Sequence, residues 1–365
     1  MKPINFNMLN FENKGRIFYF DQLRALAIIG VIVIHVAASY IRVSDISSFN
    51  WIIADIFNSL VRFAVPVFLM LSGALLLNKK YTISEFIRKR YPRILIPFIF
   101  WIIIYIVFAV LFQNKALYFT TLPTAFIFIG KMFLGFQGYL MHVWFVWMIL
   151  SVYLFIPIIN KWIQNSSIHE VEYFLIIWVI TCLLVTFVIP DFSLNLTYFA
   201  GPIGFVILGY YLSNKKSHIL DNIWIWISIF LITTITRAIL TYFFSLDVGH
   251  SFKFETYSLL TVIQSFSIFL IFKDFNLKKS IKKFSSFLEK GIIGSLTVSL
   301  SKYSYGIYLV HILFLSIFRI SNLNFVDKNA LKWIPFLTIL ILILSWATLA
   351  IINRIPFLKK FSGAH

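Results

Sequence analysis

Long apolar runs constrain this chain more than any other feature of its sequence. Ten stretches are rich in Ile, Leu, Phe and Val, and most have the roughly 17–25 residues that a helix needs to cross a bilayer. Hydrophobic residues make up 60% of the chain and charged residues 13%, against roughly 45–50% and 25% in globular proteins. A soluble fold of 365 residues has too little interior to bury that much apolar surface. The sequence therefore predicts an all-α, polytopic integral membrane protein.

The apolar runs predict about ten transmembrane helices. We place them at about 17–40, 51–77, 93–112, 140–160, 173–189, 198–213, 223–244, 256–272, 303–320 and 333–353. The segment 122–136 is shorter and contains Lys131, so we expect it to be re-entrant or interfacial. No internal repeat or low-complexity tract interrupts this pattern, and we predict one membrane-embedded domain over residues 1–365.

The basic residues indicate how the chain is oriented. The formal net charge is +18, for which nucleic acid, anionic lipid and a topology signal are competing explanations. With the N-terminus in the cytoplasm, 22 Lys and Arg residues fall on the inner side and six on the outer side. The positive-inside rule predicts this asymmetry for an even number of spans, so we expect both termini to be cytoplasmic. The charge then requires no nucleic-acid partner.

Two further features of the sequence bear on metal binding and on contact with the membrane surface. The single cysteine, Cys182, excludes an internal disulfide, and no Cys/His spacing is typical of a metal site, so no metal is expected. The stretch 273–290 alternates Lys with Phe, Ile and Leu. Such a pattern predicts an amphipathic helix on the anionic inner leaflet, with the lipid bilayer as its partner.

The first predicted span carries the most ionisable groups. Asp21 and Arg24 are three residues apart, so they share a helix face and can pair. His35 follows Arg24 by eleven residues, which returns to nearly the same face about 16 Å further along. An interfacial ion pair and a packing histidine would explain these residues structurally. An imidazole among Ile, Val and Ala in a span favours a functional role.

Two arginine features follow. Arg62 lies deep in the second span, just before Pro66, which should bend the helix as in a cavity wall; a structural kink is the alternative. Arg90 and Arg93 fall in the inner loop at the start of the third span. Their forked donors suit a phosphate or pyrophosphate, although topology alone also requires basic residues there.

Two histidines and two further arginines lie in or beside later spans. His142 is expected at the outer mouth of the fourth span and His311 in the middle of the ninth. Arg237 and Arg319 are near the outer ends of their predicted spans, where long side chains reach the interface, and we expect them to snorkel.

An ordered set of motifs resembles the acyltransferase-3 family of membrane O-acyltransferases. The motifs are Tyr19–Ala27 with His35, Arg62–Phe68 continuing to Ser72-Gly73, Arg90-x-x-Arg93, His142–Val146, Phe205–Leu212 and Tyr305–His311. Each motif is short, but together they follow the family's order over nearly the whole chain. Some relatives carry an extra extracytoplasmic hydrolase-like domain, which is not recognisable in this sequence.

The resemblance implies an acetyl-CoA-dependent enzyme of the plasma or inner membrane. It would transfer an acyl group, usually acetyl, from cytoplasmic acyl-CoA to a sugar hydroxyl of a cell-envelope polysaccharide or its lipid-linked precursor. Polysaccharide-synthesis machinery is the expected protein partner.

The resemblance also assigns roles to residues. His35 would act as general base on the acceptor hydroxyl, with a covalent acyl-histidine relay as the alternative, and Asp21 and Arg24 would shape the inner half of the same channel. Arg90 and Arg93 would bind the polyanionic CoA. The substrate-binding candidates on the acceptor side are Arg62, His142 and His311.

A transporter or flippase for a lipid-linked sugar is the competing interpretation. Charges within spans and broken helices would serve such a protein equally well. The two halves of the chain show no repeat, and the paired arginines fall on one side, which favours the enzyme.

Overall fold

Helices make up most of the part of the chain that the structure describes. The computed structural model describes residues 17–113, 115–136, 140–187, 197–215, 222–252, 254, 256–277, 289, 291–321 and 324–364, which contain no strand. Their α-helices are α1 (Phe18–Val43), α2 (Phe49–Leu60), α3 (Ala64–Leu76), α4 (Ile83–Phe112), α5 (Leu122–Leu134), α6 (Trp144–Asn165), α7 (Ile168–Phe187), α8 (Thr197–Asn214), α9 (Ile223–Val248), α10 (Leu259–Leu277), α11 (Ile292–Ile320) and α12 (Ala330–Arg354). Short 3₁₀ helices lie at Lys115–Phe119, Met141–Val143, Phe325–Asp327 and Lys359–Phe361.

Seven helical segments of the described residues are long and apolar enough to cross a membrane. They are α1, the pair α2–α3, α4, α6, α9, α11 and α12. The other three predicted spans overlap α7, α8 and α10, and the predicted interfacial segment is the short apolar helix α5. The fold class is therefore confirmed, since the chain is an all-α polytopic membrane protein. The count of ten spans and the cytoplasmic termini stay predictions.

The chain divides into two compact units. The first unit comprises Met1–Lys79, Ile158–Ser301 and Asn324–Leu340, and the second comprises Lys80–Pro157, Lys302–Leu323 and Ile341–His365. The prediction of a single domain is left as a prediction. The predicted surface helix over 273–290 falls mostly outside the described residues: residues 273–277 are the end of α10, and residue 289 is the other part that is described.

Small residues allow close helix packing in the first unit. A Cβ atom added at Gly73 of α3 would collide with the backbone of Val206 in α8, and one added at Gly209 of α8 would collide with the backbone of Met70. Two glycines thus let α3 and α8 pack backbone against backbone, as is common between membrane helices. Gly30 of α1 similarly faces Ala64, where an added Cβ would lie 3.0 Å from the alanine Cβ.

The second predicted span is two helices separated by a break. α2 ends at Leu60 and α3 begins at Ala64, so the break precedes Pro66. In a continuous helix the ring of Pro66 would clash with the carbonyl of Arg62, four residues earlier. In the observed fold Pro66 occupies the first turn of α3, where a backbone N–H is not needed. The helix is distorted as predicted, but the distortion is a break at residues 61–63 and not a bend in a continuous helix.

The third predicted span begins ten residues earlier than expected. Thr82 and Glu85 form a capping box, in which Thr82 Oγ1 accepts from the Glu85 amide at 3.2 Å and Glu85 Oε2 from the Thr82 amide at 2.9 Å. This reciprocal cap satisfies two helix-terminal donors and starts α4 at Ile83. The expected inner loop is therefore the first two to three turns of a 30-residue helix.

Candidate functional site

The ionisable residues of α1 lie along one continuous helix. Asp21 is buried, with 7% of its surface exposed, and accepts a hydrogen bond from the Ser301 hydroxyl at 2.6 Å. Arg24 and His35 are half-buried. Because α1 is unbroken from Phe18 to Val43, their eleven-residue separation places both on nearly the same face, about 16 Å apart along the axis.

His35 belongs to the part of α1 that packs against the broken span. The Asn58 side chain, 4% exposed, points its amide at the carbonyl of Ile34 at 3.5 Å. The Ser39 hydroxyl donates to the His35 carbonyl at 3.1 Å. These contacts fix the helix around His35, while the histidine side chain keeps part of its surface accessible.

Arg90 and Arg93 lie on successive turns of α4 in the second unit. Residues three apart in a helix face the same side. Arg90 is half-buried and acts electrostatically on the Tyr81 hydroxyl, whereas Arg93 is exposed. Both guanidinium groups are thus carried by a helix, and the expectation that they lie in a loop is wrong. The Thr82 cap starts α4 at Ile83, which is before both arginines in the sequence.

A buried charged cluster surrounds the break between α2 and α3. Arg62 lies within the break, and Asp55 of α2 and Arg237 of α9 act electrostatically on it and on each other. Asp55 is 4% exposed and Arg237 is 2% exposed. Charged groups at this depth are costly and mark candidate sites.

Arg237 is held by its neighbours rather than extended to an interface. Its guanidinium donates to Thr261 Oγ1 at 2.7 Å and reaches Ser258 Oγ at 3.5 Å. It also lies 5.5 Å from the centre of the Phe254 ring, in a cation–π arrangement. The expectation that Arg237 snorkels is therefore wrong, because these acceptors keep it near the middle of α9.

Sequence reasoning missed Asp55, although a signal was present. Asp55 and Arg62 are seven residues apart, a spacing that returns to the same helix face after two turns. Ser59, one turn after Asp55, directs its hydroxyl to the carboxylate. An acidic residue two turns before an arginine within an apolar run was the available indication.

His142 and His311 come together in the second unit. His142 lies in the 3₁₀ turn before α6 and is 4% exposed, and His311 of α11 is fully buried. Their ring centres are 5.8 Å apart. The Tyr308 hydroxyl donates to the His142 carbonyl, and the Tyr105 hydroxyl donates to the Leu309 carbonyl at 2.9 Å. Two residues far apart in the sequence, both assigned to the acceptor side, are thus neighbours; Arg62 belongs to the first unit.

The hydrogen bonding of His311 fixes its neutral tautomer. Its Nδ1 lies 2.7 Å from the Tyr308 carbonyl and 3.2 Å from the Ile307 carbonyl. Carbonyl oxygens only accept, so Nδ1 carries the proton and Nε2 is the basic nitrogen. His311 therefore presents an acceptor nitrogen in a known orientation.

A pocket of about 250 Å³ lies beside the histidine pair in the second unit. Tyr105, whose ring centre is 5.4 Å from that of His142, lines it. Its other polar lining residues are Gln113, Lys115, Ser316 and Arg319. The pocket mixes cationic, amide and hydroxyl groups with apolar walls, which suits a polar molecule with a nonpolar part.

Two larger grooves of the first unit are almost wholly apolar. One, of about 600 Å³, is lined by α7–α10 and has Glu172 and Tyr211 at its polar end. The other, of about 440 Å³, lies between α2 and α9 and includes Asp55 and Thr234. Within the described residues, no group of three His, Cys, Asp or Glu side chains is arranged to hold a metal ion.

Comparison with known proteins adds to this geometry. A family model described as an acyltransferase domain, Acyl_transf_3, matches residues 17–351. No curated protein and no solved structure matches the chain significantly. The family match covers nearly the whole chain, from the start of α1 into the last turns of α12. The protein therefore belongs to the acyltransferase-3 family.

Proposed function

We propose that this membrane acyltransferase transfers an acetyl group from cytoplasmic acetyl-CoA to a sugar hydroxyl of an envelope polysaccharide or its lipid-linked precursor. The acceptor oxygen forms a bond to the acyl carbon, and the thioester C–S bond breaks. His35 accepts the hydroxyl proton as general base and returns it to the departing CoA thiolate. The site of action is the plasma or inner membrane, where a cytoplasmic donor and an envelope acceptor are both within reach.

The arrangement of α1 is the observation that carries the proposal. Arg24 and His35 are accessible on one face of a helix that is otherwise largely buried, and Asp21 is fixed by Ser301. A base must reach its substrate and keep its orientation. His35 meets both requirements, because its side chain is partly exposed while Asn58 and Ser39 bind the backbone around it. Asp21 and Arg24 would shape the donor-side half of the same channel.

The donor side is assigned to Arg90 and Arg93. Acetyl-CoA carries several phosphate charges, and two guanidinium groups on one helix face offer forked donors of matching geometry. Arg62, His142 and His311 are the substrate-binding candidates on the acceptor side. Basic nitrogens and arginines are suited to hydrogen-bond a sugar and any acidic group it carries.

Removing the imidazole of His35 tests the proposal directly. Purified full-length protein in lipid vesicles would be given acetyl-CoA and glycan acceptor, with CoA thiol release and acetylated product measured. His35→Ala should lower transfer about 10²- to 10⁴-fold, the usual contribution of a general base, without lowering the unfolding temperature. His250→Ala, an exposed histidine after α9, is the matched control. Wild-type transfer rates in His35→Ala would refute the assigned base.

The donor assignment has its own test. Arg90→Gln with Arg93→Gln should raise KM for acetyl-CoA about tenfold or more, since each charge-assisted hydrogen bond contributes about 1.5–3 kcal/mol. The exposed Lys89 on the same helix provides the control, Lys89→Gln. An equal rise in KM for both variants would indicate unspecific charge attraction and contradict a phosphate site.

One observation favours the transporter or flippase as the second candidate. The span α2–α3 is broken near a buried charge cluster, and discontinuous helices line substrate sites in many transporters. Movement of a lipid-linked sugar across vesicles without acetyl-CoA would support this function. Acetylated product that requires acetyl-CoA would favour the enzyme.

A further inference from the structure

The break between α2 and α3 presents an unusual guanidinium group. The Nε atom of Arg62 is buried and has no hydrogen-bond acceptor among the described residues. A buried donor without an acceptor costs about 1–3 kcal/mol, and more when it is charged. The side chain as a whole stays partly accessible. Arg62 therefore combines a buried directional donor that lacks an acceptor with a side chain that is partly exposed elsewhere.

The charges around Arg62 leave one positive charge in excess. Among the residues that the structure describes, the guanidinium groups of Arg62 and Arg237 face one carboxylate, that of Asp55. Asp55 acts on Arg62 through space, but the two form no ion pair within the described part of the chain. Excess buried charge is strongly unfavourable unless it is paired. One monoanion at Arg62 would neutralise the cluster.

The cluster also contains an unused acceptor. Gln264 is 1% exposed, and its amide nitrogen donates to the Ser59 carbonyl at 2.9 Å and to Thr234 Oγ1 at 2.8 Å, with the Leu60 carbonyl at 3.4 Å. Because carbonyl oxygens only accept, the atom that faces them must be the amide nitrogen of Gln264. The other side-chain atom, Oε1, is an acceptor that has no hydrogen-bond partner in the described residues. The break thus offers a donor on a cation and an acceptor on a buried amide.

We propose that Arg62 binds one oxyanionic group, a carboxylate or a phosphate, and that Gln264 Oε1 accepts a hydrogen bond from a hydroxyl or amide of the same molecule. The planar guanidinium matches a planar or tetrahedral oxyanion through parallel donors. Arg237 is a positioning residue, since Thr261 and Ser258 already hold it. The ligand class is an acidic, hydroxylated molecule such as a sugar acid or sugar phosphate. The inference rests on the proposed function only in assigning this molecule to the acceptor side.

Anion binding is tested on purified full-length protein without acetyl-CoA. Inorganic phosphate and glucuronate are titrated at constant ionic strength set with sodium chloride, and the unfolding temperature is followed by tryptophan fluorescence. Both oxyanions should raise the unfolding temperature at concentrations where chloride does not. Arg62→Gln should weaken this binding about tenfold or more, the loss of one charge-assisted bond. Arg42→Gln, an exposed arginine at the end of α1, should bind as wild type does.

A second variant separates an anion site from a merely structural arginine. Asp55→Asn removes the one carboxylate of the described residues that acts on Arg62 and Arg237. The variant should bind phosphate or glucuronate more tightly than wild type, because the anion then meets two uncompensated cations. A structural ion network would instead lose stability with no gain in anion affinity. If Arg62→Gln does not fold, Arg62→Lys keeps the charge, removes the fork and should bind with reduced affinity. Weaker binding by Asp55→Asn, or unchanged binding by the Arg62 variant, overturns the proposal.

The source of the oxyanion is resolved by a comparison of probes. Protein in phosphatidylcholine vesicles is compared with protein in vesicles that also contain phosphatidylglycerol. Competition between the anionic lipid and glucuronate, abolished by Arg62→Gln, would identify a lipid phosphate, whereas glucuronate binding unaffected by the lipid would identify a soluble or sugar-borne acid. If the unfolding temperature is the same in both kinds of vesicle and glucuronate does not change it, the proposal is overturned. Because acetyl-CoA is absent, a failure of the transferase function would leave these binding results unchanged.

Discussion

Alanine at Gly209 should separate α3 from α8. The added Cβ would fall inside the van der Waals radius of the carbonyl oxygen, carbonyl carbon and Cα of Met70. All three are backbone atoms, so no side-chain rotation relieves the overlap. The reciprocal contact between Gly73 and Val206 has the same character. The two helices must therefore move apart or shift along each other.

The size of the effect follows from this geometry. Overpacking a close helix contact typically costs about 1–3 kcal/mol. For domains of 150–250 residues, each kcal/mol lowers the unfolding temperature by about 2–4 °C. A cost of about 2 kcal/mol therefore corresponds to a fall of about 4–8 °C. Replacing a glycine within a helix by alanine otherwise stabilises it by about 0.5–1 kcal/mol, so the clash must also overcome this gain.

Gly130 supplies the matched control, because a Cβ there meets nothing within 4 Å. Gly130→Ala in α5 should raise the unfolding temperature slightly, while Gly209→Ala lowers it. Both variants are purified in the same detergent, and unfolding is followed by tryptophan fluorescence and by monodispersity on size exclusion. If Gly209→Ala were as stable as Gly130→Ala, the close packing of α3 on α8 would be refuted.

Three further predictions use buried groups. Ser301→Ala removes the 2.6 Å hydrogen bond to Asp21 and should lower stability by about 1.5–3 kcal/mol; unchanged thermal unfolding would contradict that bond. Thr261→Val removes the 2.7 Å bond to Arg237 and should cost a similar amount, whereas a stability gain would show that the threonine is not an acceptor. Cys182, 1% exposed, should react with maleimide only on unfolding, and rapid labelling of folded protein would disprove its burial.

The membrane architecture was predictable because lipid imposes a simple rule on the sequence. Backbone groups in hydrocarbon must bond within their own helix, so each span is a long apolar run that can be recognised without knowing its neighbours. Helix ends were less predictable. α4 begins at Ile83 rather than near Arg93 because the capping box of Thr82 and Glu85 starts the helix among charged residues, where hydropathy gives no signal.

The site was predictable only in part, because its residues meet through tertiary packing. His142 and His311 are 169 positions apart in the sequence, and motif order assigned both to one role without indicating that their rings are neighbours. Arg237 was expected to reach an interface because its position in the sequence does not reveal Thr261. Asp55 was overlooked among the apolar residues of its span. Pairing of buried charges depends on partners from other helices, which a single span does not show.

The broken span explains how a polar cluster persists in an apolar core. Ending α2 at Leu60 releases carbonyl oxygens that a continuous helix would use, and Gln264 donates to two of them. The break therefore requires a buried amide, and that amide in turn binds Thr234 of α9. A helix pair that only had to span the bilayer would not need Pro66, Arg62 and Gln264. Each of these residues is unfavourable in a helix surrounded by lipid. Gln264 binds the end of α2 and α9 together beside Arg62, so the chain at the break is tied to a neighbouring helix by hydrogen bonds, as a binding site for an anion at Arg62 requires.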